Sequence, residues 1–290
     1  MDSTTDLDVN PPQLPIIRAP SRSREGLKAA LRRAHVLGLT FRALEQFRAM
    51  KGRWQRAPAS DDGLPIPPPL LRARVAGNAN AEWFLTTGRK DARIVADVMR
   101  TIGAPLEAAD GILDFGCGCG RVVRHWMTLG SRIHGSDHEA PAIAWCRRNL
   151  PFGSFTVNRL EPPLGHADAS YDLVSAISVF THTPEPLQRP WLRELVRVLR
   201  PGGHVLFTTH GDLHTRSQLV PDEVNRLIRD GLVVRDEYAG GTNLCAAFHS
   251  ESYVRDTLGE GLEEVAFRPG NTTDFTQDIW VFRKPRSHAD

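Results

Sequence analysis

Three glycines at alternate positions follow directly on a short apolar run. Residues 112–115 (ILDF) lead into residues 116–120 (GCGCG), and Arg121 then opens a segment with helical spacing. A strand that enters a helix through such a turn can hold a ligand against backbone N–H groups, because glycine permits both the sharp turn and the close approach. The pattern predicts a ligand-binding turn, and the alternative is a tight strand-to-helix turn that binds nothing.

One carboxylate supports the ligand-binding interpretation. Asp137 lies 17 residues after Gly120, at the end of the next predicted strand, where an acidic side chain can accept hydrogen bonds from a ribose diol. The third glycine comes one residue earlier than in the nicotinamide-dinucleotide fingerprint, and the Gly-Lys-Ser/Thr of a P-loop is absent. The turn and the carboxylate together predict a nucleoside ligand of another kind.

The elements around this turn alternate between strand and helix. Apolar runs and turn residues predict strands at 111–115, 132–136, 155–158, 171–179, 204–209, 262–267 and 278–283, and helices at 89–102, 121–129, 140–149 and 188–199. Alternation of this kind is typical of an α/β protein with a mostly parallel sheet.

Composition limits the class of protein. The 290 residues are 41% hydrophobic and 24% charged, as in ordinary globular proteins. No apolar stretch approaches the ~20 residues that a membrane-spanning helix needs. The four cysteines form no CxxC pair, which fits a reducing compartment and predicts no zinc site. We therefore expect a soluble, cytoplasmic protein.

Charge is distributed unevenly between four predicted regions. Residues 1–20 are predicted as a disordered tail, 21–56 as a basic amphipathic helical extension, 57–71 as a proline-rich linker and 72–285 as the α/β domain. The extension carries ten basic and two acidic residues. It is expected either to pack on the main domain or to contact an anionic membrane or partner. No recognition motif predicts nucleic-acid binding.

Five segments, in order and with suitable spacing, resemble the motifs of the class I S-adenosylmethionine-dependent methyltransferases. They are ILDFGCGCGR (112–121), GSDHE (135–139), FTVNRLEPPL (155–164), SYDLVSAISVFTH (170–182) and LRELVRVLRPGGHVLFTTHG (192–211). The sequences of these segments are also similar to those of uncharacterised bacterial members. The resemblance implies a doubly wound, seven-stranded sheet in the order 3-2-1-4-5-7-6 with strand seven antiparallel, and S-adenosylmethionine as cofactor.

The resemblance also implies which residues contact the cofactor. The methionyl group is assigned to Asp114, Gly116, Cys117, Gly118 and Gly120. Asp137 is expected to bind the ribose, with His138 beside the adenine. The adenine pocket is assigned to Asn158, Arg159 and Leu160, and the sulfonium centre to Ser178 and Val179. Asn158 stands where many members of the family carry an acid, so its hydrogen-bond partner is left open.

Histidines provide the candidates for a catalytic base. His182 lies just beyond the predicted fourth strand, where ligands bind in such sheets, and a hydrogen bond to the loop backbone is its alternative role. His210 and His249 are rival candidates. No aspartate follows the fourth strand in a metal-binding pattern, so the predicted mechanism needs no metal. The acceptor pocket or its lid is predicted to involve Trp83, Phe84, Tyr238 and Phe248.

The resemblance therefore predicts an enzyme that moves a methyl group to a hydroxyl of a small molecule or glycan. Absence of an Asn/Asp-Pro-Pro-Tyr/Phe motif after the fourth strand argues against methylation of a nucleobase. The alternatives are an N- or C-methyltransferase of a small metabolite and a non-catalytic protein that binds S-adenosylmethionine. The basic segment 21–56 leaves open a lipid-linked acceptor and peripheral membrane contact.

Overall fold

The computed structural model of the protein describes residues 60–236 and 239–286. The predicted tail at 1–20 and the predicted basic extension at 21–56 lie outside the described residues, as does Tyr238.

A seven-stranded sheet forms the centre of the molecule. The strands along the chain are β1 (Ile112–Phe115), β2 (Ile133–Asp137), β3 (Ser154–Val157), β4 (Tyr171–Ala176), β5 (Leu199–Thr209), β6 (Leu232–Arg235), β7 (Ala246–His249), β8 (Glu263–Arg268) and β9 (Asp278–Arg283). The main sheet has the order β3-β2-β1-β4-β5-β9-β8. Strand β9 is antiparallel to both of its neighbours, and the remaining pairs are parallel. The predicted order is confirmed, with β8 and β9 as strands six and seven.

Six α-helices accompany the strands within the described residues. They are α1 (Pro69–Ala76), α2 (Ala81–Thr101), α3 (Ala140–Asn149), α4 (Glu185–Val198), α5 (Asp212–Gln218) and α6 (Pro221–Asp230). The predicted helix at 121–129 differs from the structure, which has 3-10 turns over Val123–Arg132, with non-helical backbone at Gly130. The turn that follows the glycines is therefore tighter than its hydrophobic spacing indicates.

Alternate side chains of the strands build two hydrophobic layers. Ile112 and Leu113 are neighbours in β1 and both are fully buried, but they belong to different clusters. Ile112 packs in the layer that contains Val95 of α2, and Leu113 in the layer that contains Leu195 of α4. Burial of β1 on both faces fixes the position of the strand that leads into the glycine turn.

A small antiparallel sheet between β5 and β8 was absent from the sequence-based prediction. Strands β6 and β7 pair from Leu232 with His249 to Arg235 with Ala246, and Val233 and Phe248 are buried between them and α6. These strands are four residues long, and Arg235 and His249 interrupt their apolar pattern, so periodicity alone does not separate them from a loop.

The proline-rich segment before α1 is fixed to the domain, and its last residues are helical. The predicted linker 57–71 differs from the structure at its end, because α1 begins at Pro69, where the missing N–H of proline is tolerated. The fully buried guanidinium of Arg124 donates to both carboxylate oxygens of Asp62 at 2.6 and 2.8 Å, and to the Leu64 carbonyl at 3.1 Å. Segment 60–68 therefore contributes to the packing of the domain.

None of the helices within 60–236 and 239–286 combines the length and the apolar character required to cross a membrane.

We predict that Arg124→Met lowers the free energy of unfolding by about 3 kcal/mol or more, because loss of one partner leaves the other charge of a buried pair uncompensated. Urea denaturation followed by circular dichroism measures the change. Arg216→Met is the matched control, since Arg216 and Asp212 form an exposed pair, and should change stability by less than about 1 kcal/mol. Equal effects of the two substitutions would contradict the role given to Arg124.

Candidate active site

A cavity of about 980 Å³ opens at the carboxyl ends of β1, β2 and β4. Its floor is the glycine turn, one wall comes from α1 and the start of α2, and the loop 239–244 forms part of another wall. The carboxyl edge of a parallel sheet, where the strand order reverses beside β1, is the usual binding position in open α/β sheets. The volume is at the upper end of the range for small-molecule sites.

The glycine turn requires glycine at its first two alternate positions for steric reasons. Gly116 and Gly118 have φ values of 74° and 55°, which L-residues with a Cβ rarely adopt. A Cβ on Gly116 would lie 2.4 Å from Cγ2 of Val179, and one on Gly118 would lie 2.8 Å from Cβ of Val75. Gly116, Cys117 and Gly118 line the cavity.

Gly120 supports the turn without facing the cavity. Its φ is 79°, and a Cβ there would lie 2.4 Å from Cδ1 of Leu150. Its N–H donates to the carbonyl of Cys117 at 2.9 Å. The third glycine therefore serves close packing against the end of α3 rather than contact with the cavity, in contrast to its predicted place among the cofactor contacts.

Asp137 connects the glycine turn to the end of β2. Its Oδ2 accepts a hydrogen bond from the N–H of Gly118 at 2.8 Å, and its Oδ1 accepts one from the N–H of Glu139 at 2.8 Å. The Nδ1 atom of His138 lies 3.4 Å from the same Oδ1. All these residues line the cavity, so the carboxylate is held in one orientation with lone pairs left for a ligand.

Asp114 is a buried carboxylate whose partner is missing. It is 3% exposed, lines the cavity and has no hydrogen-bond partner among the residues that the structure describes. Burial raises the pKa of Asp114 to about 7; the guanidinium of Arg121 opposes this shift, and the carboxylate of Asp137 adds to it. A buried acid that has no hydrogen-bond partner among the described residues and faces a cavity suits a cationic group of a ligand.

The predicted adenine residues lie together at one side of the cavity. Asn158, Arg159 and Leu160 line it. Asn158 Oδ1 accepts from the hydroxyl of Ser136 at 2.7 Å, and its Nδ2 donates to the carbonyl of Arg159 at 2.6 Å. Asn158 therefore connects the ends of β2 and β3. The indole N–H of Trp191 donates to the carbonyl of Leu160 at 2.8 Å.

His182 lies in the cavity with a defined tautomer. Its Nδ1 lies 2.6 Å from the carbonyl oxygen of Cys245, which only accepts, so Nδ1 carries the proton and Nε2 keeps its lone pair. Burial lowers the pKa of His182 below 6.5, and the hydrogen bond to Cys245 opposes part of that shift. The carbonyl of His182 accepts from the N–H of Gly241 at 2.8 Å, which fixes the adjacent loop.

The two rival histidines do not line the cavity, in contrast to the prediction. The ring of His210 stacks on His214 at 4.3 Å, and its Nδ1 lies 3.1 Å from the carbonyl of Ala247. His249 is 3% exposed, and its Nε2 lies 3.0 Å from Oε1 of Gln188. Burial lowers the pKa of His249 to about 3. Both side chains are directed into the packing of the small β6–β7 sheet.

Of the four predicted lid residues, the structure places Trp83 at the cavity. The N–H of Trp83 donates to Oδ1 of Asn80 at 2.8 Å, which caps α2 and fixes the first turn of that helix. Phe84 and Phe248 differ from the prediction, because both are fully buried in the hydrophobic packing. Tyr238 lies outside the described residues.

Several residues at the cavity were not found from the sequence. Arg74 and Val75 of α1 line one wall. Asn243 is connected to that wall, because its Nδ2 donates a hydrogen bond of 2.7 Å to the carbonyl of Arg74. Gln277 lines the cavity from a position just before β9. Arg74 follows a proline run that reads as a linker, and Gln277 lies in a polar stretch without periodicity. The parallel strand order is the signal that could have placed Gln277, since it brings the start of an antiparallel strand to the carboxyl edge.

Comparisons with known proteins agree with this geometry. A family model described as a methyltransferase domain matches residues 113–207. The ubiquinone biosynthesis O-methyltransferase of Sodalis glossinidius is 30% identical over 102 residues, or 34% of this chain and 40% of its own length. The malonyl-[acyl-carrier protein] O-methyltransferase of Enterobacter lignolyticus is 35% identical over 99 residues, or 34% of this chain and 38% of its own. The chain thus spans less than half the length of these curated relatives.

A solved structure shows the same fold. The 1,6-didemethyltoxoflavin-N1-methyltransferase of Burkholderia thailandensis superposes with a TM-score of 0.50 and 16% identity, over 70% of this chain and 81% of its own.

Residues 113–207 match a methyltransferase domain, and the strand order confirms the predicted sheet. These findings confirm the predicted resemblance to the class I S-adenosylmethionine-dependent methyltransferases and support S-adenosylmethionine as the cofactor.

We predict that Gly116→Ala lowers the free energy of unfolding by about 3 kcal/mol, from unfavourable backbone geometry and contact with Val179. Chemical denaturation measures it. Gly103→Ala separates the two causes, because Gly103 has a φ of 75° and no atom within 4 Å of the added Cβ, and should cost about 1–2 kcal/mol. If both alanine variants are equally stable, the contact with Val179 is not a constraint on the turn.

Proposed function

We propose that the protein transfers a methyl group from S-adenosylmethionine to a hydroxyl oxygen of a small molecule, such as a sugar or another metabolite. The observation that carries this proposal is the orientation of His182 inside the cavity. Its Nδ1–H is bound to the Cys245 carbonyl, so the unprotonated Nε2 can accept a proton from the acceptor.

The residues at the glycine turn fit the cofactor. The unpartnered carboxylate of Asp114 suits the ammonium of the methionyl group, and the guanidinium of Arg74, 3.9 Å from Glu139 and open to the cavity, suits its carboxylate. Asp137 offers lone pairs to the ribose hydroxyls. Ser178 and Val179 follow β4, beside the glycine turn, and we assign them to the centre of the cavity where the methyl group lies.

Positioning and proton removal are the tasks left to the protein. When bound, the cofactor supplies a methyl group on a positively charged sulfur, and the sulfur keeps the electron pair of the C–S bond that breaks. A hydroxyl oxygen that forms the new C–O bond must lose its proton, and His182 Nε2 takes it. Orientation of the reactants supplies several kcal/mol, roughly 7–11 in ideal intramolecular cases.

Two observations favour oxygen as the methylated atom. A neutral histidine with a free Nε2 is the group that a hydroxyl needs and that an already unprotonated amine does not. The two curated relatives compared above are named O-methyltransferases, and their similarity covers about a third of this chain.

We predict that the affinity for S-adenosylmethionine rises as pH increases from 6 to 7.5. The free Asp114 carboxyl, whose pKa is about 7, must lose a proton to pair with the ligand ammonium, so affinity falls by up to about tenfold per pH unit below that value. Calorimetry in two buffers with different ionisation enthalpies measures both the affinity and the proton release.

Two variants give this test its control. Asp114→Asn should remove the pH dependence and weaken binding. Asp97→Asn should preserve both, because Asp97 is an exposed residue of α2 paired with Arg100. Failure of the wild-type protein to bind S-adenosylmethionine at any pH would refute the proposed function itself.

We predict that His182→Gln lowers kcat by about 10²–10⁴-fold, the usual contribution of a positioned base, without weakening S-adenosylmethionine binding. A mass-shift screen of metabolites with hydroxyl, amine and thiol groups identifies a methylated acceptor for the assay. At saturating cofactor, the wild-type kcat should decline with acid only below pH 6.5, because activity requires unprotonated His182 and its pKa is lowered.

The matched control is His204→Gln, since His204 lies in β5 away from the cavity, beside Arg200 and Arg286 at the opposite end of the sheet. It should retain kcat within about twofold. Methylation of amines in preference to hydroxyls, or full activity of His182→Gln, would contradict oxygen transfer with His182 as the base.

A further inference from the structure

Three polar side chains meet at the carboxyl ends of β4 and β5, and two of them, Ser178 and Gln277, line the same cavity as His182. The N–H of Ser178 donates to Oγ1 of Thr208 at 2.8 Å. The hydroxyls of Ser178 and Thr208 then donate to the same atom, Oε1 of Gln277, at 3.1 and 2.5 Å. Thr208 is fully buried in β5, and Gln277 directly precedes β9. The three side chains come from three separate segments of the chain.

This network determines how the amide of Gln277 is oriented. Thr208 Oγ1 accepts from the N–H of Ser178, and the hydroxyls of Thr208 and Ser178 both donate to the carbonyl oxygen of the Gln277 amide, which therefore faces the two hydroxyls. Gln277 lines the cavity, and its Nε2 has no hydrogen-bond partner within residues 60–236 and 239–286. Two N–H donors are therefore presented to whatever occupies the cavity.

Backbone strain at the same place is an independent observation. Ser178 has a φ of 59°, a left-handed conformation that is unfavourable for a residue with a Cβ. The hydrogen bond from its N–H to Thr208 holds it there. Strain of this kind persists where the surroundings impose it and is concentrated at ligand sites.

The proton acceptor and the amide donor lie near the same end of β4. His182 ends the 3-10 turn that begins at Phe180, and its N–H donates to the Val179 carbonyl at 2.9 Å, while Ser178 contacts Gln277. An acceptor molecule in this space meets a group that takes a proton and, near it, a group that can only donate hydrogen bonds.

We propose that Gln277 determines acceptor specificity. Its Nε2 donates a hydrogen bond to a second oxygen of the acceptor, next to the hydroxyl whose proton His182 removes. The acceptor class is then a molecule with two neighbouring oxygens, such as a vicinal diol or a hydroxyl beside a carbonyl or ether. This inference rests on the proposed function. If the acceptor carried an N–H group in place of the second oxygen, that group would face the N–H of Gln277. Two donors would then oppose each other without a hydrogen bond between them.

Three planar probes of similar size test the inference: catechol, 2-methoxyphenol and 2-aminophenol. Each offers one hydroxyl, and the neighbouring group is a hydroxyl, an ether oxygen or an amine. Their affinities for the protein saturated with S-adenosylhomocysteine are measured by ligand-observed NMR titration. The wild-type protein should bind catechol and 2-methoxyphenol about tenfold or more tightly than 2-aminophenol, because a buried donor without an acceptor weakens binding.

Substitutions at Gln277 distinguish specificity from a structural role. Gln277→Glu replaces the donor by an acceptor, with which the hydroxyl of catechol and the amine of 2-aminophenol can pair and the ether oxygen of 2-methoxyphenol cannot. In this variant 2-methoxyphenol should therefore become the weakest ligand of the three. Gln277→Met keeps the length of the side chain, removes the donor and should make the three affinities similar. Both variants should bind S-adenosylhomocysteine as the wild type does, which also shows that they fold.

The outcomes separate two kinds of failure. The specificity role alone is overturned if S-adenosylhomocysteine binds but the wild-type protein binds the three probes equally or binds none of them. The same holds if S-adenosylhomocysteine binds and the order of affinities is unchanged in Gln277→Glu. Loss of S-adenosylhomocysteine binding in the wild-type protein overturns the proposed function and this inference with it.

Discussion

The site depends on the carboxylate of Asp137, which accepts hydrogen bonds from the backbone N–H groups of Gly118 and Glu139. These two contacts join the turn after β1 to the end of β2, across the carboxyl edge of the sheet. The carbonyl of Ser136 accepts from the N–H groups of Gly116 and Cys117, and the Asp137 carboxylate adds the acceptor for Gly118, so acceptors at the end of β2 fix the course of the turn. The same carboxylate thus holds the floor of the cavity in place and remains available to a ligand.

Asp114 provides the second carboxylate at this edge, and its hydrogen bonding and pKa differ from those of an exposed acid because it is buried. Asp137 is satisfied by backbone N–H donors, whereas Asp114 is buried without a hydrogen-bond partner among the described residues, and its pKa is about 7. Burial without compensation is a cost to the free protein that a cation in the cavity would remove. Folding therefore bears the cost of burying Asp114, and a cation that pairs with this carboxylate would recover part of that cost as binding free energy.

Much of the fold and of the glycine-turn side of the cavity could be predicted from the sequence, because both are encoded locally. The strand at 278–283 and the helix at 140–149 have the predicted bounds, and continuous apolar runs explain that agreement. The rest depends on contacts between distant segments. Whether Phe84 and Phe248 face the cavity or the core is decided by packing, and the amide of Gln277 is oriented by hydroxyls 69 and 99 residues away in sequence.

The two sides of the cavity are built from different parts of the chain. Residues from Asp114 to His182, together with α1, form the side of the cavity to which we assign the cofactor, whereas other parts of the wall come from the loop 239–244 and the approach to β9. Substitutions in those outer segments can accumulate without disturbing the turn or its carboxylates. Related enzymes could therefore diverge in the molecules they methylate while they inherit the same donor chemistry, which gives this architecture a physical route to new metabolic roles.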